Sequence, residues 1–162
     1  MKTIIGVMGG GRVAPPVMDM ARELGRLIAQ KGWVLLTGGR AAGVMDASAR
    51  GAREAGGLVV GILPDQDTGR MSEHVDVPIL TGMGSTRNAL NVLSSRVVVA
   101  LPGGTGTLSE VALALTFHRP VVLLGWPKTD LFEPYRQEGR LAYARSTAHA
   151  VELVQEFLEA VS

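Results

Sequence analysis

The chain has 162 residues, which suits one domain of ordinary size, and its 16 basic and 15 acidic residues leave a net charge of +1. This balance does not indicate a nucleic-acid or membrane partner, and the lack of cysteine excludes disulfides, thiolate metal sites and cysteine nucleophiles. The three histidines show no metal-ligand spacing, no apolar run approaches the roughly 20 residues of a membrane span, and the N-terminus does not resemble a signal peptide. We expect a cytoplasmic protein whose residues 1–162 form one domain without a metal site.

Strands and helices alternate along the chain. Apolar runs predict strands at residues 4–8, 33–37, 58–63, 77–80, 97–101 and 121–124. Helical spacing and capping residues predict helices at 15–31, 43–55, 85–95 and 107–118, and a last one from Ser146 or Thr147 to 160. Residues 64–75 are expected to form a polar loop, and 125–139 an irregular segment. The alternation predicts βαβ units, and therefore a single Rossmann-like, doubly wound α/β domain with a mostly parallel sheet covered by helices on both faces.

Glycine is unusually abundant. The 21 glycines are about twice the usual share, and they cluster at 9–11, 38–43, 56–61, 82–84 and 103–106. Each cluster lies beside an apolar run, which indicates tight turns where the backbone comes close to another group. Three of the clusters follow predicted strands one, two and five. Doubly wound sheets bind ligands at the carboxyl ends of their strands, so composition and topology indicate the same crevice.

The loop from Pro102 to Glu110 is the strongest candidate for a binding site. Successive glycines let backbone N–H groups approach an anion, and the following helix adds its positive N-terminal dipole. We therefore predict a phosphate-binding loop made by Gly103, Gly104, Thr105, Gly106 and Thr107. The alternative is a plain strand-to-helix turn, which would not need so many glycines and threonines. The chain has no Gly-Lys-Ser/Thr sequence, so hydrolysis of a nucleoside triphosphate on magnesium is not indicated.

Two charged residues stand at the predicted crevice. Glu110 lies three residues after Thr107, so it is either a catalytic carboxylate or the glutamate of a capping box with Thr107. Arg87 begins another helix, where a guanidinium could bind a phosphate or fix a carboxylate. The alternative for Arg87 is a solvated surface arginine.

The other glycine clusters supply further candidates. The turn with Gly38, Gly39 and Gly43 is expected to pack around a ribose or base, or else to be a strand–helix turn that needs close packing. The segment Gly9-Gly10-Gly11-Arg12 follows the first strand and is a weaker third candidate, with Gly10 and Gly11 as its predicted ligand contacts. The remaining nucleotide-binding candidates are the neighbours of the Arg87 helix start, Met83 and Asn88.

The two motifs Gly38-Gly39-x-x-x-Gly43-Val44-Met45 and Pro102-Gly103-Gly104-x-Gly106-Thr107-x-x-Glu110 resemble those of the LOG ("Lonely guy") family. The resemblance implies a Rossmann-like fold, a homodimer, and a phosphoribohydrolase that cleaves the N-glycosidic bond of cytokinin nucleoside 5′-monophosphates, and often AMP. The family's catalytic arginine lies 15 residues before the proline of the second motif, a position that Arg87 occupies here. The family's catalytic glutamate ends that motif, as Glu110 does. The resemblance thus implies that both residues are catalytic, with no required cofactor.

The chain departs from the LOG pattern at three positions. Asn88 and Ser109 stand where the family has lysine and glutamate, and Arg96 stands where an acidic residue is common. The segment 81–88 is more similar to a sister group that is described as DprA-related or similar to molybdenum-cofactor carrier proteins. Three functions therefore remain open. The first is a nucleoside 5′-monophosphate phosphoribohydrolase, and the second is a carrier that binds a nucleotide or molybdenum cofactor without turnover. A third is a subunit whose main task is assembly.

The family's older label, lysine decarboxylase, can be tested against the lysines. A pyridoxal-phosphate decarboxylase needs a Schiff-base lysine, and the chain has only Lys2, Lys31 and Lys128, none at the predicted crevice. We exclude that activity. The expected partners are a small-molecule nucleotide and, as the resemblance to the LOG family implies, a second copy of the chain; no nucleic acid or membrane is expected. The family's dimer is built largely from helices near the crevice, which here are rich in alanine and leucine.

Overall fold

A seven-stranded parallel sheet forms the centre of the molecule. The computed structural model describes residues 1–160; residues 161 and 162, which the predicted domain includes, lie outside the described residues. The strands are β1 (Ile4–Met8), β2 (Val34–Thr37), β3 (Val59–Leu63), β4 (Val77–Leu80), β5 (Val97–Ala100), β6 (Val121–Leu124) and β7 (Leu141–Ala144). The helices are α1 (Pro15–Gln30), α2 (Gly43–Glu54), α3 (Asn88–Leu93), α4 (Thr105–Thr116), α5 (Glu133–Gln137) and α6 (Thr147–Ala160), with short 3-10 helices at Gly84–Arg87 and Asp130–Phe132.

The strand order is β4-β3-β2-β1-β5-β6-β7, and every neighbouring pair is parallel. The chain winds outward from β1 to β4 on one side and then returns to place β5 on the other side of β1. The order therefore reverses between β1 and β5, where the register pairs Met8 with Ala100. In open α/β sheets a crevice forms at this point, outside the carboxyl ends of the two strands.

Aliphatic side chains fill both faces of the sheet. Alternate residues of β1 and β5 point to opposite faces, so Val7 and Val99 join one buried cluster, whereas Met8 and Val98 join the other. The first cluster includes residues of α1, α2 and α6, and the second includes residues of α3 and α4. The sheet is thus covered on both sides, and α4 starts directly above the β1–β5 crevice.

The predicted fold class is confirmed, and most strands lie within one residue of their predicted bounds. The helix predicted at 107–118 begins two residues earlier, at Thr105, and the helix predicted at 85–95 begins as a 3-10 turn. The prediction of an irregular segment at 125–139 was wrong in part, because it contains α5, and β7 was missed. β7 has only four residues at the edge of the sheet, three of them half-buried, so its sequence carries little strand signal.

Candidate functional site at the β1–β5 crevice

A cavity of about 210 Å³ lies at the carboxyl ends of β1 and β5. Its wall combines the two strand ends, the three glycine turns and the starts of two helices. The lining residues are Val7, Met8, Gly9, Gly10, Gly11, Gly38, Met45, Ser85, Arg87, Asn88, Gly104, Gly106, Thr107 and Glu110. The cavity therefore occupies the position that the strand order favours for a ligand.

Backbone contacts between the glycine turns form the floor of the cavity. The Gly10 N–H donates to the Pro102 carbonyl at 3.0 Å, and the Val44 N–H donates to the Gly10 carbonyl at 3.0 Å. A Cβ on Gly103 would come within 2.7 Å of the Gly10 nitrogen, and one on Gly43 within 2.0 Å of the Gly10 oxygen. Only glycine permits such close backbone approach, so these residues hold the three turns together.

Glu110 is a buried carboxyl group in the cavity wall. Its side chain lies on the second turn of α4, and the residue is 7% exposed. Asn91 Nδ2 donates to Glu110 Oε1 at 2.9 Å. Burial raises the pKa of Glu110 to about 7, although the Asn91 hydrogen bond and the charge of Arg87 both act in the opposite direction. Near neutral pH the group is therefore able both to accept and to donate a proton.

Of the two alternatives for Glu110, the capping box with Thr107 is not formed. The residue that precedes α4 is Gly104, which has no side chain to cap the helix, and Thr107 lies inside the first turn. Thr107 is 4% exposed and lines the cavity. Glu110 is hydrogen-bonded to Asn91 of α3 rather than to its own helix. Because no side chain caps the first turn of α4, the N–H groups of that turn are available to another acceptor.

Arg87 lies across the end of β2, opposite Glu110. A Cβ on Gly38 would come within 2.8 Å of Arg87 Nη2, so the absence of a side chain at Gly38 makes room for the guanidinium. Burial lowers the pKa of Arg87, and the nearby charges of Glu110 and Asp65 act against that change. Its Nε is buried without a hydrogen-bond partner. The reading of Arg87 as a solvated surface arginine is wrong.

Asn88 and Ser109 connect Arg87 to the glycine-rich loop. Arg87 Nη1 donates to Asn88 Oδ1, and Asn88 Nδ2 donates to Ser109 Oγ at 3.0 Å. Ser109 Oγ in turn donates to the Gly106 carbonyl at 2.7 Å. Two of the positions at which the chain departs from the LOG pattern are therefore in direct contact with each other.

The model of the SLOG cluster4 family matches residues 2–151. The chain belongs to this family. A molybdenum cofactor binding protein from Rippkaea orientalis is 47% identical with a TM-score of 0.89, and the match covers 98% of both chains. The molybdenum cofactor carrier protein of Chlamydomonas reinhardtii is 46% identical with a TM-score of 0.90, over 98% of this chain and 99% of that one.

The LOG relatives are more distant. A cytokinin riboside 5′-monophosphate phosphoribohydrolase from Mycobacterium tuberculosis is 36% identical over 116 residues, which are 67% of this chain and 62% of the relative. The SLOG cluster4 chain thus matches less than two thirds of that protein's length, whereas it matches the two molybdenum-cofactor proteins almost completely. The predicted relation to LOG proteins and to the carrier-like sister group is confirmed.

Two glycines of this SLOG cluster4 protein differ from the others in the site. A Cβ on Gly104 or Gly106 would meet no atom within 4 Å. Gly104 has an ordinary φ of −93°, and Gly106 lies in the first turn of α4. Neither packing nor backbone conformation explains glycine at these positions. Their side of the cavity is open to a group that approaches the N-terminus of α4.

The cavity brings together most of the predicted site residues. The predicted residues in its wall are Gly10, Gly11, Gly38, Arg87, Asn88, Gly104, Gly106, Thr107 and Glu110. Others lie behind the wall or outside it: Gly39, Gly43 and Gly103 pack against backbone, Thr105 is exposed, and Met83 is 45% exposed. The predicted contacts do not include Val7, Met8 and Ser85, and they include Gly9 and Met45 only as members of their glycine-rich segments. Met8 directly precedes the first glycine cluster at the end of β1, so its position in the sequence was the available signal.

Across residues 1–160, no group of three or more His, Asp or Glu side chains lies close enough together to hold a metal ion. The same residues include no helix that is long and apolar enough to cross a membrane.

Proposed function

We propose that this SLOG cluster4 protein is a phosphoribohydrolase that converts a nucleoside 5′-monophosphate such as AMP to its free base and ribose 5-phosphate. The observation that carries the proposal is the buried Glu110 carboxyl group, with a raised pKa, beside Arg87 in the wall of the β1–β5 cavity. Perturbed titratable pairs in a cavity are typical of catalytic sites. The LOG relatives, which carry this activity in their names, add support.

The 5′-phosphate is placed at the N-terminus of α4, against Gly104 and Gly106. The open space at these two glycines supports this position, since a phosphate oxygen there could approach the free N–H groups of the first turn. Thr107 adds a hydroxyl group. The cavity of about 210 Å³ is smaller than the roughly 300 Å³ at which ligand pockets usually begin, so it suits the ribose phosphate, with the base outside it.

The reaction breaks the bond between ribose C1′ and the base nitrogen, and a water oxygen forms the new bond to C1′. The ionised Glu110 carboxylate would stabilise the positive charge that develops on the ribose, or accept the proton of the attacking water. The departing base nitrogen takes up a proton, from solvent or from Glu110 once that group has accepted the proton of the attacking water, so that one water molecule is consumed overall. Arg87 would hold the phosphate or orient Glu110. Because the phosphate is bound away from the reacting atoms, its binding energy would position C1′ for attack.

Release of adenine from AMP by the purified protein tests the proposal. Chromatography should detect free adenine and ribose 5-phosphate in equal amounts, and Glu110→Gln should lower the rate by roughly 100-fold or more. Glu152→Gln is a matched control, because Glu152 is an exposed residue on α6 away from the cavity. If a panel of nucleoside monophosphates gives no more free base with the wild-type protein than with Glu110→Gln, the proposed activity is wrong.

The second candidate is a carrier that binds molybdenum cofactor without changing it. The observation that favours it is the match of 46–47% identity over 98% of this chain to two molybdenum-cofactor proteins. Molybdenum cofactor also ends in a phosphate, which could use the same loop. Native mass spectrometry after addition of molybdenum cofactor or AMP separates the two functions. Intact bound cofactor without adenine release supports the carrier, and adenine release without retained cofactor supports the enzyme.

We also propose that the protein is a homodimer. The outer face of α3 and α4 presents Leu90, Leu93 and Leu108, each at least 36% exposed. Glu110, the one charged residue in the two helices, points inward to Asn91. A helix surface without charge is typical of a surface that is covered in an assembly. Sedimentation velocity should give a dimer, and a monomer at micromolar concentration would contradict the proposal.

A further inference from the structure

Asn91 is a fully buried polar residue that contacts Glu110. It lies on α3, is 0% exposed, and donates its Nδ2 to Glu110 Oε1 at 2.9 Å. Its neighbour Val92 is also 0% exposed and belongs to the apolar cluster below α3 and α4. An apolar side chain would suit this environment at lower cost than an amide. The Glu110 contact is therefore the feature that accounts for an asparagine here.

The second polar atom of the same amide has no partner. Asn91 Oδ1 is buried and accepts no hydrogen bond. A carboxylate can only accept, so the ionised Glu110 needs the Nδ2 side of the amide, whereas a protonated Glu110 has an O–H to donate. A half-turn of the amide about its Cβ–Cγ bond would present Oδ1 to that O–H. The two sides of the amide thus match the two protonation states of Glu110.

We propose that Asn91 is a positioning residue for Glu110, and that its amide holds the carboxyl group in one place in both protonation states. The role rests on the proposed hydrolase function, in which Glu110 must keep its place beside C1′ while it gains or loses a proton. The groups that face Glu110 are Asn91 from α3 and the charged guanidinium of Arg87 from the turn before α3. Arg87 favours the ionised form throughout, so it cannot supply an acceptor for the protonated one.

The titration of Glu110 tests this role without reference to turnover. Carboxyl carbon NMR of the wild-type protein should give a Glu110 midpoint near 7, and the Asn91 side-chain NH₂ signals should move with the same midpoint. In Asn91→Leu, which loses the Nδ2 donor, the Glu110 midpoint should rise to about 8 or above, because the lost hydrogen bond to the ionised carboxylate is charge-assisted and stronger than the lost one to the protonated form. In Asn91→Asp the midpoint should also rise, because the added carboxylate repels the ionised Glu110. Val92→Ala is the matched control, since it opens the same helix contact without removing a donor.

The possible results separate the two proposals. If Glu110 titrates in the wild-type protein while the Asn91 amide signals stay fixed, the inference is overturned, and this measurement needs no variant to fold. An unchanged Glu110 midpoint in a folded Asn91→Leu protein also overturns it. If the protein releases no adenine from AMP but the Asn91 and Glu110 signals move together, the hydrolase proposal fails while the contact stands. If activity is present, the low-pH limb of its pH profile should move upward with the Glu110 midpoint in both Asn91 variants and stay in place in Val92→Ala.

Discussion

The two main glycine turns of the site look alike in sequence but differ in what their glycines do. In the turn after β2, a Cβ on Gly43 would meet the Gly10 carbonyl at 2.0 Å, and the residue has a positive φ of 52°. In the loop after β5, a Cβ on Gly104 or Gly106 would meet nothing within 4 Å. Contacts within the protein thus explain Gly43 in the first turn and Gly103 in the second, whereas Gly104 and Gly106 face the space in which we propose that the phosphate binds. A glycine-rich motif can therefore be divided into structural and ligand-facing positions by asking what a side chain would touch.

The largest expected effect comes from the packed turn. Gly43→Ala should destabilise the fold by on the order of 4 kcal/mol, since it combines left-handed backbone strain with a clash against backbone. Urea unfolding measures the change. Gly56→Ala is the matched control, because Gly56 also has a positive φ, of 75°, but a Cβ there would have no neighbour within 4 Å. It should cost about 1 kcal/mol. Equal losses in the two variants would show that the packed turn is not held by close backbone contact.

The next effect concerns the cost of burying the Glu110 carboxyl group in the cavity wall. Its pKa is raised from 4.5 to about 7, so the stability that the bound proton provides is fully present below about pH 4.5 and is lost as pH rises through 7. Glu110→Gln cannot ionise and retains an acceptor for Asn91. At pH 8 and above it should be more stable than the wild-type protein by up to about 3 kcal/mol, with little difference at pH 4. Urea unfolding at several pH values measures this, and a constant difference between the two proteins would contradict it.

A smaller effect on stability, with a clear effect on binding, is expected in the loop after β5. Gly106→Ala meets no atom and improves helix propensity in the first turn of α4, so stability should stay unchanged or rise by up to about 1 kcal/mol. If a phosphate lies against Gly106, the affinity for AMP should fall at least about tenfold, because the methyl group occupies its place. Thermal unfolding and calorimetric titration measure the two changes. Unchanged affinity would contradict a phosphate position against Gly106, and the open space at this glycine would then need another explanation.

How far the sequence predicts this site depends on whether a contact is local. Arg87 and Glu110 each have a clear motif, and the glycine clusters indicate the carboxyl edge of the sheet, so their meeting in one cavity follows from the predicted topology. Asn91 has no such signal. It lies in a short helix whose sequence Asn-Ala-Leu-Asn-Val-Leu does not indicate which face meets α4, and its role depends on a contact across 19 positions of the chain. The start of α4 was misplaced for a related reason, because Thr107 resembles a cap whereas the helix begins after a glycine.

The smallest expected effect is a coupling between Asn88 and Ser109, which occupy the positions where the LOG pattern has lysine and glutamate. Asn88 Nδ2 donates to Ser109 Oγ at 3.0 Å, so a neutral hydrogen bond connects α3 to α4 at these two positions. Asn88→Lys alone would place an unpaired charge beside Arg87 at a site that is 5% exposed, and Ser109→Glu alone would lack its cation. In the double variant the two charges can pair, so a double-mutant cycle in urea unfolding should give a favourable coupling of about 1 kcal/mol. Additive losses would mean that the two departures are independent. A favourable coupling would mean that the two departures depend on each other, with a neutral hydrogen bond in place of an ion pair. Arg87 and Glu110, which lie next to these positions in the sequence, both match the LOG pattern.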